Sequence, residues 1–255
     1  MKKKRALWVI KVGSQLIVDG GPLLIRSWMQ DVATLLSSYQ IDIIWVSSGA
    51  IASAKKRVKK SWKTLPEKQA LSAIGQPMLL EQYSIALAEQ GLMASQVLLS
   101  YRDFKFASSK LNLKNTLKTL LNWQVIPILN ENDAVATDEI QFGDNDFLSA
   151  LVACEMKADR LVILTNVEGL YSANPNEDQN AYLIESIDKI TSKHLNLVKF
   201  SSKSDAGRGG MLSKLKAAKY AQKYGVPTQI VKGDTAQILV QMAKGNKRGT
   251  CIGKF

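Results

Sequence analysis

The sequence predicts an α/β fold in which helices cover both faces of a mainly parallel β-sheet. Short, nearly continuous apolar runs alternate with longer segments whose apolar residues recur at helical spacing, as in parallel strands buried between helices. Apolar residues make up 46% of the 255-residue chain, enough for a full core. Because no repeat or long Pro/Gly/Ser linker divides the chain, we expect residues 1–255 to form one domain.

Six strands and five helices follow from this alternation. The strands are predicted at residues 7–12, 41–46, 94–99, 125–129, 160–164 and 227–231. The helices are predicted at residues 26–38, 66–90, 111–123, 146–156 and 211–224. The longest helix has four apolar residues at helical spacing that are predicted to lie in the core: Leu71, Ile74, Met78 and Ile85. Residues 167–186 are rich in Asn, Asp and Gly, which indicates loops and a small hairpin at the edge of the sheet.

The composition disfavours nucleic-acid and membrane proteins. Lys and Arg outnumber Asp and Glu by 34 to 22, a net charge of +12, but the basic clusters at residues 2–5 and 55–60 do not interleave with aromatic residues. We expect the positive charge to serve solubility or to attract an anionic small substrate. The N-terminus lacks a signal-peptide cleavage site, and no apolar run approaches the roughly 18 residues of a membrane span, which indicates a cytoplasmic protein.

Histidine and cysteine are too scarce for zinc or disulfide chemistry. The chain has one histidine, His194, and two cysteines far apart in sequence, Cys154 and Cys251, too few for a zinc cluster or a disulfide framework. An enzyme of the Ser-His-Asp or Cys-His type would depend on His194 alone, which is predicted on a surface helix. That class of enzyme is therefore not expected.

Ligands of an open parallel sheet bind beyond the carboxyl ends of the strands, and four segments stand out there. In the first, Lys11 lies within an apolar strand and Gly13 follows it. The lysine would direct its ammonium group towards the strand end, and the glycine would let a phosphate approach the backbone. The alternative is a lysine on an edge strand, exposed to solvent.

The second segment, residues 47–52, joins a strand to a helix through small residues. Free backbone N–H groups and the helix N-terminus would favour a carboxylate or a phosphate here. The alternative is an ordinary capped turn.

The third segment combines the polar residues 130–133 with residues 142–146. Asn145 is placed to cap a helix, and Asp146 would lie in its first turn. Capping accounts for one or two of these polar residues but not for all of them, so a binding or catalytic site is favoured.

The fourth segment is a glycine-rich turn, residues 207–214, that opens a helix and places Lys214 in its first turn. Glycines let the backbone wrap phosphate oxygens, and the lysine supplies a mobile charge for a transferring phosphoryl group. The spacing is neither a P-loop nor a G-x-G-x-x-G motif. Three further lysines of this helix are predicted to be solvated: Lys216, Lys219 and Lys223. Phosphoryl transfer depends mostly on positioning and charge neutralisation, which two lysines and a carboxylate-rich helix start can supply.

The chain resembles the amino-acid kinase family in six strings, taken in order: VIKVGSQLI, VSSGAIA, AIGQPML, ILNENDAVATDEIQFGDNDFLSALVA, LTNVEGLY and GRGGMLSKLKAA. The combination of SSGAI with NENDAV and GDND is similar to the members that phosphorylate L-glutamate. The resemblance covers nearly the whole chain. It implies a three-layer α/β/α sandwich around a mainly parallel sheet of eight strands, the amino-acid kinase fold.

The resemblance also implies a reaction and its participants. ATP, with Mg²⁺ carried by the nucleotide, would phosphorylate the side-chain carboxylate of L-glutamate to L-glutamyl 5-phosphate, the first step of proline biosynthesis. The expected partners are further copies of the chain, as a dimer or tetramer, and glutamyl phosphate reductase. The C-terminal RNA-binding-like domain of many family members is not expected in residues 1–255. The alternatives are another acyl-phosphate-forming amino-acid kinase and a catalytically silent regulator that binds nucleotide or RNA.

The resemblance also implies roles for individual residues. Lys11 and Lys214 match the charge-stabilising lysines, and Asp146 matches the aspartate that orients them. The glutamate-binding positions are matched by Ser48, Gly49, Asp133 and Asn145. The nucleotide-binding positions are matched by Lys11, Gly13, Thr165, Asn166, Arg208, Gly209, Gly210, Met211 and Lys214. Asn166 and Arg208 stand where the family usually has Asp and Thr, so their contacts with nucleotide or metal are expected to differ. No metal ligand from the protein is implied.

Overall fold

Strands alternate with helices along the part of the chain that the computed structural model describes, residues 5–55, 57–58, 62–135, 145–175, 177–201 and 210–255. The strands are β1 (Ala6–Val12), β2 (Ile41–Val46), β3 (Met93–Leu99), β4 (Val125–Glu131), β5 (Arg160–Thr165), β6 (Ser186–Ile187), β7 (Thr228–Lys232) and β8 (Thr250–Ile252). The helices are α1 (Ser14–Ser38), α2 (Ala50–Lys55), α3 (Leu65–Ala88), α4 (Ala107–Asn122), α5 (Asp146–Met156), α6 (Ser192–Ser201), α7 (Met211–Lys223) and α8 (Ile238–Ala243).

The described strands form one sheet in the order β3-β4-β2-β1-β5-β7-β8-β6. Neighbouring strands run parallel except β7 and β8, which are antiparallel. In the centre, Lys11 pairs with Val46 on β2 and with Ile163 on β5, so the carboxyl ends of these three strands meet at the same edge. The mainly parallel sheet of the predicted three-layer fold is confirmed.

The two faces of β1 belong to two separate cores. Trp8, Ile10 and Val12 pack with residues of α1, α3 and α8, whereas Val9 packs with residues of α4, α5 and α7. Side chains alternate across a strand, so Lys11 lies on the same face as Val9. This alternation directs the Lys11 side chain towards the layer that contains α5 and α7.

Most predicted strand boundaries lie within one or two residues of the observed ones, but the first helix begins earlier than predicted. The first helix was predicted to begin at residue 26, whereas α1 begins at Ser14. Its helical geometry is interrupted at Gly21, which has φ of +53° and ψ of −151°. The Gly-Gly-Pro sequence there bends the helix without ending it. The helix expected to open within residues 47–52 is α2, whereas the short elements α8, β6 and β8 were not predicted.

The predicted core positions of α3 are partly wrong. Leu71 is buried and Met78 is half-buried, but Ile74 is 44% exposed and Ile85 is 50% exposed. The inward face of this helix carries polar as well as apolar residues: Ser72, Gln76, Leu79, Tyr83 and Leu87. Part of that face borders a polar cavity, which explains why apolar spacing alone did not identify it.

The region after β5 contains the predicted hairpin contacts. Tyr171 and Leu183 form an antiparallel bridge, and the Ile184 N–H donates a hydrogen bond to the Leu170 oxygen at 2.7 Å. This segment leads into β6, which lies at the edge of the sheet. None of the helices in the described ranges is long and apolar enough to cross a bilayer.

Asp31 in α1 is a buried carboxylate at the start of α8. Its Oδ2 atom accepts a hydrogen bond from the Leu239 N–H at 3.0 Å, and only 4% of the residue is exposed. Burial raises the pKa of Asp31 from 3.8 to about 6, against the opposing effect of hydrogen bonds from the backbone of Leu239 and Val240.

The raised pKa of Asp31 predicts a pH-dependent stability difference for Asp31→Asn. The folded state holds the proton more tightly than the unfolded chain, so this group stabilises the fold most below pH 3.8 and loses that contribution as the pH rises through about 6. Relative to the wild type, Asp31→Asn should therefore gain up to roughly 3 kcal/mol of stability between about pH 4 and about pH 7. Urea unfolding at both pH values measures the gain, with the exposed Asp19→Asn as control. An identical difference at both pH values would contradict the assignment.

Candidate active site

Lys11, Asp146 and Lys214 form a buried ion triad beyond the carboxyl end of β1. Lys11 Nζ lies 2.5 Å from Asp146 Oδ1, and Lys214 Nζ lies 3.2 Å from Asp146 Oδ2. The Ser213 hydroxyl donates a hydrogen bond of 2.6 Å to the same Oδ2 atom. Lys11 and Asp146 are fully buried, and Lys214 is 5% exposed. The structure thus brings two lysines from opposite ends of the sequence to one carboxylate.

The position of each triad residue follows from the fold. Lys11 lies on the β1 face that is covered by α5 and α7, Asp146 begins α5, and Lys214 lies in the first turn of α7. The alternative of a solvated lysine on an edge strand is wrong for Lys11. A buried ion without a partner costs several kcal/mol, so the carboxylate allows both ammonium groups to stay charged inside the protein. With two cations and one anion, the triad carries a formal charge of +1 and attracts anions.

Two helix N-termini lie beside the triad. Gly13 is the N-cap of α1 and Gly210 is the N-cap of α7, and neither residue has a side chain that could satisfy the first backbone N–H groups. Among the described residues, a Cβ atom at Gly13 would meet only the Leu164 oxygen at 3.8 Å, and one at Gly210 would meet nothing within 4 Å. The described residues thus leave room for a ligand to approach the backbone at both glycines.

The other predicted nucleotide-binding residues lie partly in this region. Thr165 ends β5 next to Gly13, and its hydroxyl donates a hydrogen bond of 3.3 Å to Asn166 Oδ1. Thr165 is buried and Asn166 is exposed. Met211 is the first residue of α7, in the same turn as Lys214. Two further predicted residues lie outside the described residues: Arg208 and Gly209.

A cavity of about 410 Å³ contains all four predicted glutamate-binding residues: Ser48, Gly49, Asp133 and Asn145. Its volume lies within the ~300–1,000 Å³ typical of small-molecule sites. The remaining lining residues are Ser14, Ala50, Ile51, Ala52, Lys55, Trp62, Lys68, Asn130 and Glu131. Ser14 follows Gly13, and Asn145 precedes Asp146, so the cavity adjoins the triad.

Asn145 is held by a chain of buried amides. Its Nδ2 atom donates to the Ser47 oxygen at 2.5 Å and to Asn130 Oδ1 at 2.6 Å. Asn130 Nδ2 in turn donates to Gln76 Oε1 at 3.1 Å. Asn145 occupies the N-cap position of α5, but its side chain makes no cap hydrogen bond, so the expected capping role is wrong. Because both N–H bonds of the amide are used, its carbonyl oxygen remains to accept a hydrogen bond from a ligand.

Ser48 and Asp133 offer the cavity two polar groups of different kinds. The Ser48 Oγ atom is buried and has no hydrogen-bond partner among the described residues, a situation that usually indicates a missing ligand or water. Asp133 Oδ2 accepts a hydrogen bond from Ser72 Oγ at 2.6 Å, and burial raises the pKa of Asp133. Directly after Ser48, Gly49 has a φ of +95°, a conformation that favours glycine.

Helix α3 contributes polar side chains to this site that were not predicted from the sequence. Ser72 holds Asp133 and Gln76 holds Asn130, while Lys68 lines the cavity. These three residues recur every four positions and so form a polar stripe on one face of the helix, a signal that was present in the sequence. At Gly75, a Cβ atom would lie 1.8 Å from the Ala50 oxygen. The glycine therefore lets α2 approach α3 and positions the 47–52 segment.

Histidine and cysteine lie away from the cavity lining. His194 belongs to α6, and its Nδ1 atom accepts a hydrogen bond from the Thr191 N–H at 3.1 Å. Cys154 and Cys251 are free thiols, and burial raises the pKa of Cys154 to about 11, which disfavours the reactive thiolate. The described residues contain no group of three or more His, Cys, Asp or Glu side chains suited to a metal ion.

Curated relatives of this chain are glutamate 5-kinases. The enzyme of Trichlorobacter lovleyi is 42% identical over 247 residues, which cover 95% of this chain and 65% of that protein. The enzyme of Nitrosospira multiformis is 41% identical over 258 residues, which cover 98% of this chain and 68% of that protein. The chain thus spans about two thirds of the length of these relatives.

Solved structures share the fold at low sequence identity. Isopentenyl phosphate kinase superimposes with a TM-score of 0.64 at 15% identity, covering 96% of this chain and 99% of that one. Uridylate kinase of Archaeoglobus fulgidus superimposes with a TM-score of 0.63 at 18% identity, covering 97% and 100%. The profile of the amino acid kinase family matches residues 6–232. The chain therefore belongs to the amino acid kinase family.

Proposed function

We propose that this chain phosphorylates the side-chain carboxylate of L-glutamate with ATP in the cytoplasm, giving ADP and L-glutamyl 5-phosphate, the first step of proline biosynthesis. The observation that carries the proposal is the buried triad of Lys11, Asp146 and Lys214 next to a cavity lined by Ser48 and Asp133. A carboxylate oxygen forms a bond to the γ-phosphorus as the bond from that phosphorus to the β,γ-bridging oxygen breaks. No proton moves in this step.

The chemistry needs neutralisation of charge and no general base. A glutamate side chain has a reference pKa near 4.3 and is already ionised at neutral pH. The barrier comes from an anion that approaches a polyanion, and charge spreads over the transferring oxygens in the transition state. Lys11 and Lys214 supply two positive charges there, and Asp146 keeps both side chains in place. Preorganised charges of this kind need no rearrangement as the reaction proceeds.

The nucleotide would bind beside the triad, at the N-termini of α1 and α7. Phosphate oxygens would lie against the backbone N–H groups after Gly13 and Gly210 and against Lys214, with Thr165 and Asn166 nearby. Mg²⁺ in such enzymes keeps several waters and binds through one or two carboxylates plus substrate phosphates, so it needs no protein cage and would be carried by the nucleotide. When bound, it supplies further neutralisation of phosphate charge. Asn166 would offer a neutral contact where related kinases have a carboxylate.

The cavity accommodates the amino-acid end of the substrate. Asp133, already tied to Ser72, would accept the α-ammonium group together with the carbonyl oxygen of Asn145. A cation beside Asp133 would also offset the desolvation of its carboxylate. Ser48 Oγ, which lacks a partner among the described residues, would donate to a substrate oxygen.

A coupled assay of ADP release tests the proposed reaction. Purified protein with ATP and Mg²⁺ should turn over L-glutamate faster than L-aspartate or N-acetyl-L-glutamate. Turnover with only the last two would indicate another amino-acid kinase. Nucleotide binding without turnover of any of the three would indicate a silent regulator.

Self-association is the second part of the proposal. Ile74 and Ile85 on α3 are exposed, and Met93 on the edge strand β3 is 67% exposed, so apolar surface is available for a dimer or tetramer. Light scattering after gel filtration should show an oligomer that Ile85→Glu weakens, and a monomeric wild type would contradict this part. The acyl phosphate product is labile, which favours transfer to glutamyl phosphate reductase as the next enzyme.

A further inference from the structure

Two lysines line the cavity but have no role in the transfer of the phosphoryl group. Lys55 ends α2, and Lys68 lies near the start of α3. Neither lysine makes an ion pair with any of the described residues. Their ammonium groups therefore add positive charge to a wall of the cavity that is separate from the buried triad.

The proposed substrate has one charged group to which neither the triad nor Asp133 binds. L-Glutamate carries two carboxylates and one ammonium group. The side-chain carboxylate reacts at the triad, and the ammonium group faces Asp133. The α-carboxylate remains, and a second cationic position in the same cavity would bind it through charge-assisted hydrogen bonds.

The position of Lys68 fits this requirement. Ser72, which donates to Asp133 at 2.6 Å, follows Lys68 by four residues. Residues four apart lie on the same face of a helix, about 6 Å apart along its axis. The ammonium and α-carboxylate groups are bonded to the same carbon, so the residues that bind them must lie close to one cavity position, and Asp133 and Lys68 line the same cavity.

The electrostatics of Lys55 support the same conclusion. Its Nζ atom lies 3.7 Å from the centroid of the Trp62 ring. Burial lowers the pKa of Lys55, and the positive charge of Lys68 lowers it further. Two like charges thus face the cavity with unfavourable interaction between them, and an anion placed between them would relieve it.

We propose that Lys68, assisted by Lys55, binds the α-carboxylate of the amino-acid substrate. This inference rests on the proposed function and extends it to substrate selection. The triad binds the reacting carboxylate, and Lys68 distinguishes an α-amino acid from an otherwise similar acid without a negative α-substituent. Lys68 is then a determinant of specificity and takes no part in the transfer step itself.

A comparison of two substrates tests the role of Lys68. L-Isoglutamine has a neutral amide in place of the α-carboxylate and keeps the reacting side chain and the ammonium group. Lys68→Met should raise KM for L-glutamate about 10- to 100-fold, as expected for loss of a charge-assisted hydrogen bond, with a much smaller change in kcat. With isoglutamine, KM should be nearly the same in the wild type and in Lys68→Met.

Matched variants separate this role from a structural one. Lys68→Arg keeps the charge and should retain most of the affinity for glutamate. Lys63→Met removes an exposed lysine that does not line the cavity and should change neither substrate's KM. Equal KM increases for glutamate and isoglutamine in Lys68→Met, or no increase for either, would overturn the inference while leaving the proposed function standing. A wild type that cannot turn over glutamate would overturn the proposed function itself.

Discussion

Lys214→Ala is expected to lower kcat for ATP-dependent phosphorylation of glutamate by at least about 10²- to 10³-fold. The Lys214 ammonium lies 3.2 Å from Asp146 and next to the open N-terminus of α7, where phosphate charge would develop in the transition state. Water that replaces the side chain cannot supply a fixed positive charge. The fold should persist because Asp146 keeps Lys11 as its partner at 2.5 Å.

Lys216→Ala is the matched control for this prediction. Lys216 lies on the same helix but is exposed, as sequence analysis predicted for it and for Lys219 and Lys223. Its replacement should leave kcat within about twofold and the thermal midpoint unchanged, because a solvated surface charge has little effect on stability. Steady-state kinetics on both variants measures the difference. An unchanged kcat in Lys214→Ala would contradict the charge-stabilising role of Lys214.

Asp146→Asn is expected to destabilise the protein by about 3–5 kcal/mol and to abolish turnover. The substitution leaves two buried ammonium groups with a neutral partner, and removing one member of a buried ion cluster has costs of this size. Activity should fall as well, because Lys11 and Lys214 lose the carboxylate that fixes their positions.

A double variant tests whether the stability loss arises from uncompensated charge. In Lys11→Met with Asp146→Asn, one of the two ammonium groups is removed, so the loss of stability should be smaller than in Asp146→Asn alone. Chemical denaturation of the wild type, both single variants and the double variant forms the cycle. Additive effects in that cycle would show that the two side chains do not interact in the folded protein.

Local patterns were sufficient to predict most of the sheet. The bounds of β2 at Ile41–Val46 and of α5 at Asp146–Met156 agree with those predicted. A nearly continuous apolar run marks β2, and a polar residue marks the start of α5. Lys11 was recognised as a candidate because a lysine within an apolar strand would direct its ammonium group towards the strand end. The sequence alone did not identify that partner's geometry, since β1, α5 and α7 meet only in the folded chain.

The start of α1 and the inward face of α3 were not predicted correctly, because both depend on contacts between segments that are distant in sequence. The first helix was predicted to begin at residue 26, but packing of the earlier turns against the core keeps them helical on both sides of Gly21. Ile74 and Ile85 were expected in the core but are exposed. The inward face of α3 includes the buried polar residues Ser72 and Gln76. These polar residues have partners in β4 and the segment after it, and no local rule reveals such partners.

Transfer of oxygen from the substrate to phosphate shows whether the glutamate carboxylate attacks the γ-phosphorus. L-Glutamate labelled with ¹⁸O in its side-chain carboxylate is incubated with ATP, Mg²⁺, hydroxylamine and the purified protein, and the released phosphate is examined by ³¹P NMR. If the carboxylate attacks the γ-phosphorus, hydroxylamine displaces a phosphate that contains one ¹⁸O atom and leaves γ-glutamyl hydroxamate. Phosphate without label would mean that water accepts the phosphoryl group, which would contradict the account.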